Sequence, residues 1–224
     1  GMELPRFAGI ATFMRLPHVP LDHPRVRDVQ IGLVGLPWDG GTSNRPGPRH
    51  GPRALRDAST MIRAQNGATG LRPFELVNCA DLGDVGPNPV DGPDTLERFE
   101  RYFTGLKGRG IRPLSAGGDH LCTLPVLRGI AKGNPLGLVH FDSHTDLYDE
   151  YFGGFKITHG TPFRRAIEED LLDPKRIIQI GIRVDDHRRQ HSLRQVREQR
   201  REHDERRNHE AARDERSHGC SRPG

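Results

Sequence analysis

The chain has 224 residues, with 34 Lys+Arg against 30 Asp+Glu, 33% apolar residues and 3 Cys. That length can bury a core, no stretch approaches the roughly 18 consecutive apolar residues of a membrane span, and the odd, scattered Cys79, Cys122 and Cys220 suggest neither a disulfide framework nor a Cys-rich zinc site. The opening GMELPRFAGI lacks the basic-then-apolar pattern of a secretion signal, so the expected location is the cytoplasm.

In chain order, the pattern predicts a strand at 29–36 (VQIGLVGL), a helix near 51–65, a strand at 75–80 (ELVNCA) and a helix near 93–108. A strand at 111–116 (IRPLSA), a helix near 121–132, a strand at 136–141 (LGLVHF), a helix near 162–172 and a strand at 176–182 (RIIQIGI) follow. Short runs rich in Val, Ile and Leu, separated by segments long enough for crossovers, argue for an α/β fold with a parallel sheet covered by helices.

The composition breaks at Val184. Residues 184–224 hold 11 Arg, 9 Asp+Glu and 5 His, with no Lys, Ile, Met, Phe, Trp or Tyr. So few apolar residues cannot offset the entropy of ordering the segment, which is expected to be disordered or a solvated, charge-laced helix. Its interleaved acids and lack of aromatic residues also argue against nucleic-acid binding. The expected organisation is therefore an α/β domain at 1–183 and an Arg-rich tail at 184–224.

Loops leaving the carboxyl ends of parallel strands are where α/β proteins place their sites. After 111–116 comes Gly117-Gly118-Asp119-His120; after 136–141 comes Asp142-Ser143-His144-Thr145-Asp146. In an extended chain alternate side chains share a face, so Asp142, His144 and Asp146 are expected to converge, either as metal ligands or as a hydrogen-bonded polar strand end. Carboxylates mixed with imidazole suit a divalent ion, Mn²⁺ ahead of Zn²⁺ or Ni²⁺. A glycine pair that lets the backbone turn tightly would bring His120 to the same sheet edge. His159, just before a predicted helix, is suited to proton transfer. His140 shares the parity of the triplet but lies inside an apolar run, and reads as a hydrogen-bonded core histidine.

With these motifs, over about residues 5–183, the sequence resembles the ureohydrolase family of arginase, agmatinase and related amidinohydrolases, most of all agmatinase. The resemblance is carried by Arg15-Leu16-Pro17, the Gly40–Gly47 segment with Gly51-Pro52, Asp81-Leu82-Gly83-Asp84, GGDH at 117–120, HFDSHTD at 140–146, and His159-Gly160-Thr161-Pro162-Phe163-Arg164-Arg165. It implies a three-layer α/β/α sandwich of the arginase/deacetylase type with a mainly parallel sheet and two Mn²⁺ ions per subunit. His120, Asp142 and Asp146 would hold one ion; Asp142 would bridge to a second held by His144. The implied chemistry is attack of a metal-bound hydroxide on a guanidinium carbon, releasing urea and an amine, with agmatine giving putrescine. His159 matches a residue credited with proton shuttling or substrate orientation. Asn44 and Arg45 lie in a loop that shapes the pocket for the substrate's far end.

The family pattern includes two further aspartates after a later strand, one of them bridging the ions. After Val184 no Asp-x-Asp flanked by an apolar strand occurs, so the chain holds four of six expected ligands and the fold is expected to be incomplete at its C-terminus. The abrupt compositional switch is what an out-of-frame reading of GC-rich coding sequence produces, and the tail is read as the product of a frameshifted or truncated gene. Two alternatives stand beside agmatine hydrolysis: turnover of guanidinobutyrate, guanidinopropionate or arginine, and a catalytically silent module that binds a partner. Homo-oligomers, as trimers or hexamers, are the family expectation.

Overall fold

The apolar run IGLVGL forms β1 (Ile31–Leu36), buried along nearly its whole length. A computed structural model describes residues 5–183 and, beyond them, Val196, Glu198, Arg201 and Glu205. β1 lies at the centre of a parallel sheet, between β2 (Cys79–Asp84) and β3 (Arg112–Gly117). A second parallel sheet pairs β4 (Leu136–Phe141) with β5 (Leu172–Ile180).

The helices are α1 (Gly51–Ser59), the single turn α2 (Pro73–Leu76), α3 (Gly92–Gly108), α4 (Thr123–Ala131) and α5 (Pro162–Glu168). α3 starts where the Asp91 carboxylate accepts the Asp94 N–H at 2.9 Å, with Pro93 preset for the first turn. Its Leu96, Phe99, Phe103 and Leu106 recur at helical spacing and are buried in the main core with Leu124 of α4 and Phe163 of α5. Each such side chain contributes about 1.5–3 kcal/mol by leaving water. Gly129 lets α3 and α4 approach closely, because a Cβ there would come within 2.5 Å of the Phe103 Cβ.

Four elements differ from the sequence expectation. The 75–80 strand is displaced: Pro73 starts a helical turn, and the strand is the more polar Cys79–Asp84. That polarity is tolerable because buried Asp81 accepts from Arg56 Nε at 2.8 Å, Phe13 N at 2.9 Å and Gly83 N at 2.9 Å, which ties the N-terminal segment to the sheet. The helices expected at 51–65 and 162–172 end at Ser59 and Glu168, and the last strand begins earlier, at Leu172. Among the described residues the parallel strands form two sheets rather than one, with β3 paired only to β1 and β4 only to β5.

One face of the β4–β5 pair is apolar and exposed, with no described residue packed over it. Val139 stands opposite Ile178 and Phe141 opposite Ile180, and all four are exposed. Most of the expected charged tail lies outside the described residues. The four described positions are helical; Val196 is buried with the main core, and Arg201 pairs with Glu205 at 3.4 Å. No helix among the described residues is long and apolar enough to cross a membrane.

Candidate metal centre

At the end of β3, Gly118 turns the chain with φ +43°, and a Cβ there would sit 2.3 Å from the Trp38 carbonyl oxygen. Asp119 caps the short 3-10 turn His120–Cys122 by accepting the Leu121 N–H at 2.8 Å. Its other oxygen accepts the Gly41 N–H at 2.6 Å, fastening the Gly40–Gly47 loop to the turn that carries His120. Burial raises the Asp119 pKa above the ordinary carboxylate value, against these two hydrogen bonds.

The second half of the site follows β4. The strand ends at Phe141, and the chain then bends: Asp142 Oδ1 accepts the His144 N–H at 2.9 Å, and Asp146 adopts a left-handed φ of 52°. The Asp146 carbonyl accepts the N–H of Phe163 in α5 at 3.2 Å. Because residues 142–146 form a turn, period-two alternation does not extend through them. Asp142 and Asp146 are brought together, while His144 is exposed, with Nδ1 3.4 Å from Asp142 Oδ1 and outside the cluster.

His140, read from sequence as a core histidine, takes its place in that cluster. It is buried, and Nδ1 is hydrogen-bonded to Gln179 Nε2 at 3.2 Å, yet Nε2 faces Asp142 Oδ2 at 3.5 Å and Asp146 Oδ2 at 3.6 Å. His120 Nδ1 stands 2.9 Å from Asp146 Oδ2 and 3.9 Å from Asp142 Oδ2. One potential ligand atom from each of His120, His140, Asp142 and Asp146 lies within 4.8 Å of all the others. The signal in the sequence was parity: His140 and Asp142 share a face of β4.

The electrostatics of the four are coupled. Burial works against charging His120, but Asp146, Asp142 and Asp119 outweigh it and raise its pKa. Burial and then the His120 charge lower the pKa of His140. Burial opposes ionisation of Asp142, but the His144 N–H and the two imidazoles lower its pKa. Phe163 packs edge-on against both rings, with centroids 5.2 Å from His120 and 4.6 Å from His140, a dry wall that strengthens these charges.

Two buried polar atoms of the cluster, His140 Nε2 and Asp146 Oδ2, make no aligned hydrogen bond. Buried carboxylate oxygens converging with imidazoles at the ends of two parallel strands are the arrangement a divalent cation fits. The remaining sequence candidates lie apart from the four. His159 Nε2 is 2.9 Å from Ser43 Oγ, and its backbone N–H donates to the Gly41 carbonyl at 3.2 Å, so it borders the same glycine loop. Asn44 and Arg45 are exposed in that loop.

The loop owes its shape to Asp39, which sequence reading passed over. Its buried carboxylate accepts from Gly47 N at 2.7 Å, Arg49 N at 3.1 Å and Arg49 Nε at 2.6 Å. The Arg49 hydrogen bond above all holds its pKa down at about 2.

The Arginase family profile matches residues 29–215. The chain belongs to the arginase family. It is 54% identical over 181 residues to the guanidinopropionase of Pseudomonas aeruginosa, covering 81% of this chain and 56% of that one. It is 44% identical over 179 residues to the mitochondrial agmatinase of Gallus gallus, with 80% and 51% covered. The solved structure of proclavaminate amidinohydrolase from Streptomyces clavuligerus superposes with a TM-score of 0.77 at 40% identity, covering 87% of this chain and 63% of that one. This arginase-family chain thus spans little more than half the length of the curated relatives it matches.

Proposed function

We propose that this chain carries a site for metal-dependent hydrolysis of a guanidino compound to urea and an amine. The observation that supports it is the convergence of His120, His140, Asp142 and Asp146 within one cluster. In this reading the ion would be Mn²⁺, and His120, Asp142 and Asp146 would hold it. The two oxygens of Asp142 face different neighbours, Oδ2 the buried imidazoles and Oδ1 His144. A bound divalent ion supplies a low-pKa water and offsets the charge that develops on it.

The protein groups do the rest. Phe163 shields the buried side of the cluster from water. His159, with Ser43 as partner to Nε2, exchanges a proton at the loop that borders the site. Asn44 and Arg45 meet the substrate's far end. Arg45 favours a carboxylate there and repels the ammonium of agmatine. The higher identity to a guanidinopropionase than to an agmatinase points the same way, so a guanidino acid replaces agmatine as the leading substrate.

The exposed apolar face of Val139, Phe141, Ile178 and Ile180 supports a second reading, a ureohydrolase-like module that assembles with another polypeptide. A urea-release assay with guanidinopropionate, guanidinobutyrate, agmatine and arginine, with Mn²⁺ and metal analysis alongside, separates the two. Mn²⁺-dependent urea release from a guanidino acid supports the first. A chain that releases urea from none of the four favours the second.

A further inference from the structure

We propose that Gln179 fixes the tautomer of His140, so that His140 turns an N–H rather than a lone pair toward the metal-binding carboxylates and is not a metal ligand. The two residues are register partners across β4 and β5. Gln179 Nε2 donates to the Thr145 carbonyl at 2.7 Å. A carbonyl only accepts, so the amide must present its nitrogen there; the reverse orientation would set two acceptors against each other.

The same nitrogen lies 3.2 Å from His140 Nδ1. An amide NH₂ has two donors and no acceptor, so with one hydrogen on Thr145 the other points at Nδ1, which must offer a lone pair. The single proton of the neutral ring then sits on Nε2. That atom is the buried one facing Asp142 Oδ2 at 3.5 Å and Asp146 Oδ2 at 3.6 Å. A protonated ring nitrogen has no lone pair for a metal.

The cluster therefore divides by role. His120, Asp142 and Asp146 offer lone pairs to the ion, and His140 directs one N–H between two carboxylate oxygens, restraining their orientation from the buried side. Through Thr145 the same Gln179 amide also ties the 142–146 turn to β5, next to the left-handed Asp146. Gln179 is thus a positioning residue acting on the site through His140 and Thr145. The consequence for metal binding rests on the proposed metal centre; the tautomer rests on the hydrogen bonds alone.

The test is the ring-nitrogen spectrum of metal-free protein labelled with ¹⁵N-histidine at neutral pH, with His140 assigned by the signal lost in His140→Gln. The expected pattern is Nε2 protonated and Nδ1 bare. In Gln179→Glu the carboxylate accepts from Nδ1 and the pattern reverses. In Gln179→Met, similar in size and without donors, the preference collapses to a mixture and the Mn²⁺ dissociation constant rises about tenfold. A proton on Nδ1 in the unsubstituted protein overturns the proposal without any variant, and so does one unchanged pattern in all three proteins. Since no turnover is read, an inactive chain leaves this test decisive.

Discussion

The carboxylate of Asp119 accepts the backbone N–H of Gly41 at 2.6 Å, joining two loops 78 residues apart in the chain. Its second oxygen holds Leu121 N, so one buried side chain sets both the glycine loop and the turn that aims His120. Asp119→Ala removes both acceptors and leaves buried N–H groups unpaired, at a cost of about 1–3 kcal/mol for each group left unsatisfied. Limited proteolysis should then open the 40–49 segment first. Unchanged cleavage and melting temperature would show that the loop is held by other contacts.

The metal-centre reading predicts which substitutions erase metal-dependent stabilisation. An ion that binds only the folded chain stabilises it by about 2.7 kcal/mol at a hundredfold excess over its dissociation constant. His120→Asn, Asp142→Asn and Asp146→Asn should each abolish the Mn²⁺-induced rise in melting temperature. His144→Asn should leave most of it, because that side chain is exposed and stands outside the buried cluster. A melting response untouched by Asp142→Asn would sink the ligand assignment.

How much of this was legible depends on where the strands stop. β4 was readable to the residue from its apolar run, whereas β2 was not, since its buried Asp81 depends on Arg56, a partner 25 residues away that no local pattern reveals. His120, Asp142 and Asp146 stood out by residue type and by their place after apolar runs. Asp142 and Asp146 meet beside His140 and not beside His144 because alternation ends at Phe141, and the turn beyond it is set by Asp142 Oδ1 and the left-handed Asp146. Asp39 was invisible for a similar reason. Its role comes from a loop that closes back on it, and a lone Asp before two glycines shows no such closure.

Asp39 gives the chain a defined acid response. Its folded pKa, about 2, lies below the ordinary value of 3.8, chiefly through the Arg49 hydrogen bond. A carboxylate with a depressed folded pKa contributes stability that is fully present above the unfolded value and is lost as pH falls through the folded one. The melting-temperature gap between the unsubstituted protein and Asp39→Asn should therefore be constant at neutral pH and shrink as pH drops from about 4 towards 2. A gap independent of pH would show that the variant acts through packing rather than charge.

The exposed apolar face of β4 and β5 predicts a solubility defect with a specific cure. Val139 and Ile178 are register partners, both exposed, beside the likewise exposed Phe141 and Ile180. An apolar strand face without a cover binds hydrophobic dyes and other strands, and lysine is the usual means of blocking edge-to-edge association. Val139→Lys combined with Ile178→Lys should lower anilinonaphthalene sulfonate fluorescence and light scattering. Because neither side chain is buried, the melting temperature should stay nearly constant, as surface changes are usually worth within about 0.5 kcal/mol. Unfolding of the double variant would mean that this face is covered in solution, and an unchanged dye signal would place the sticky surface elsewhere, with the exposed Leu114 of β3 the next position to change.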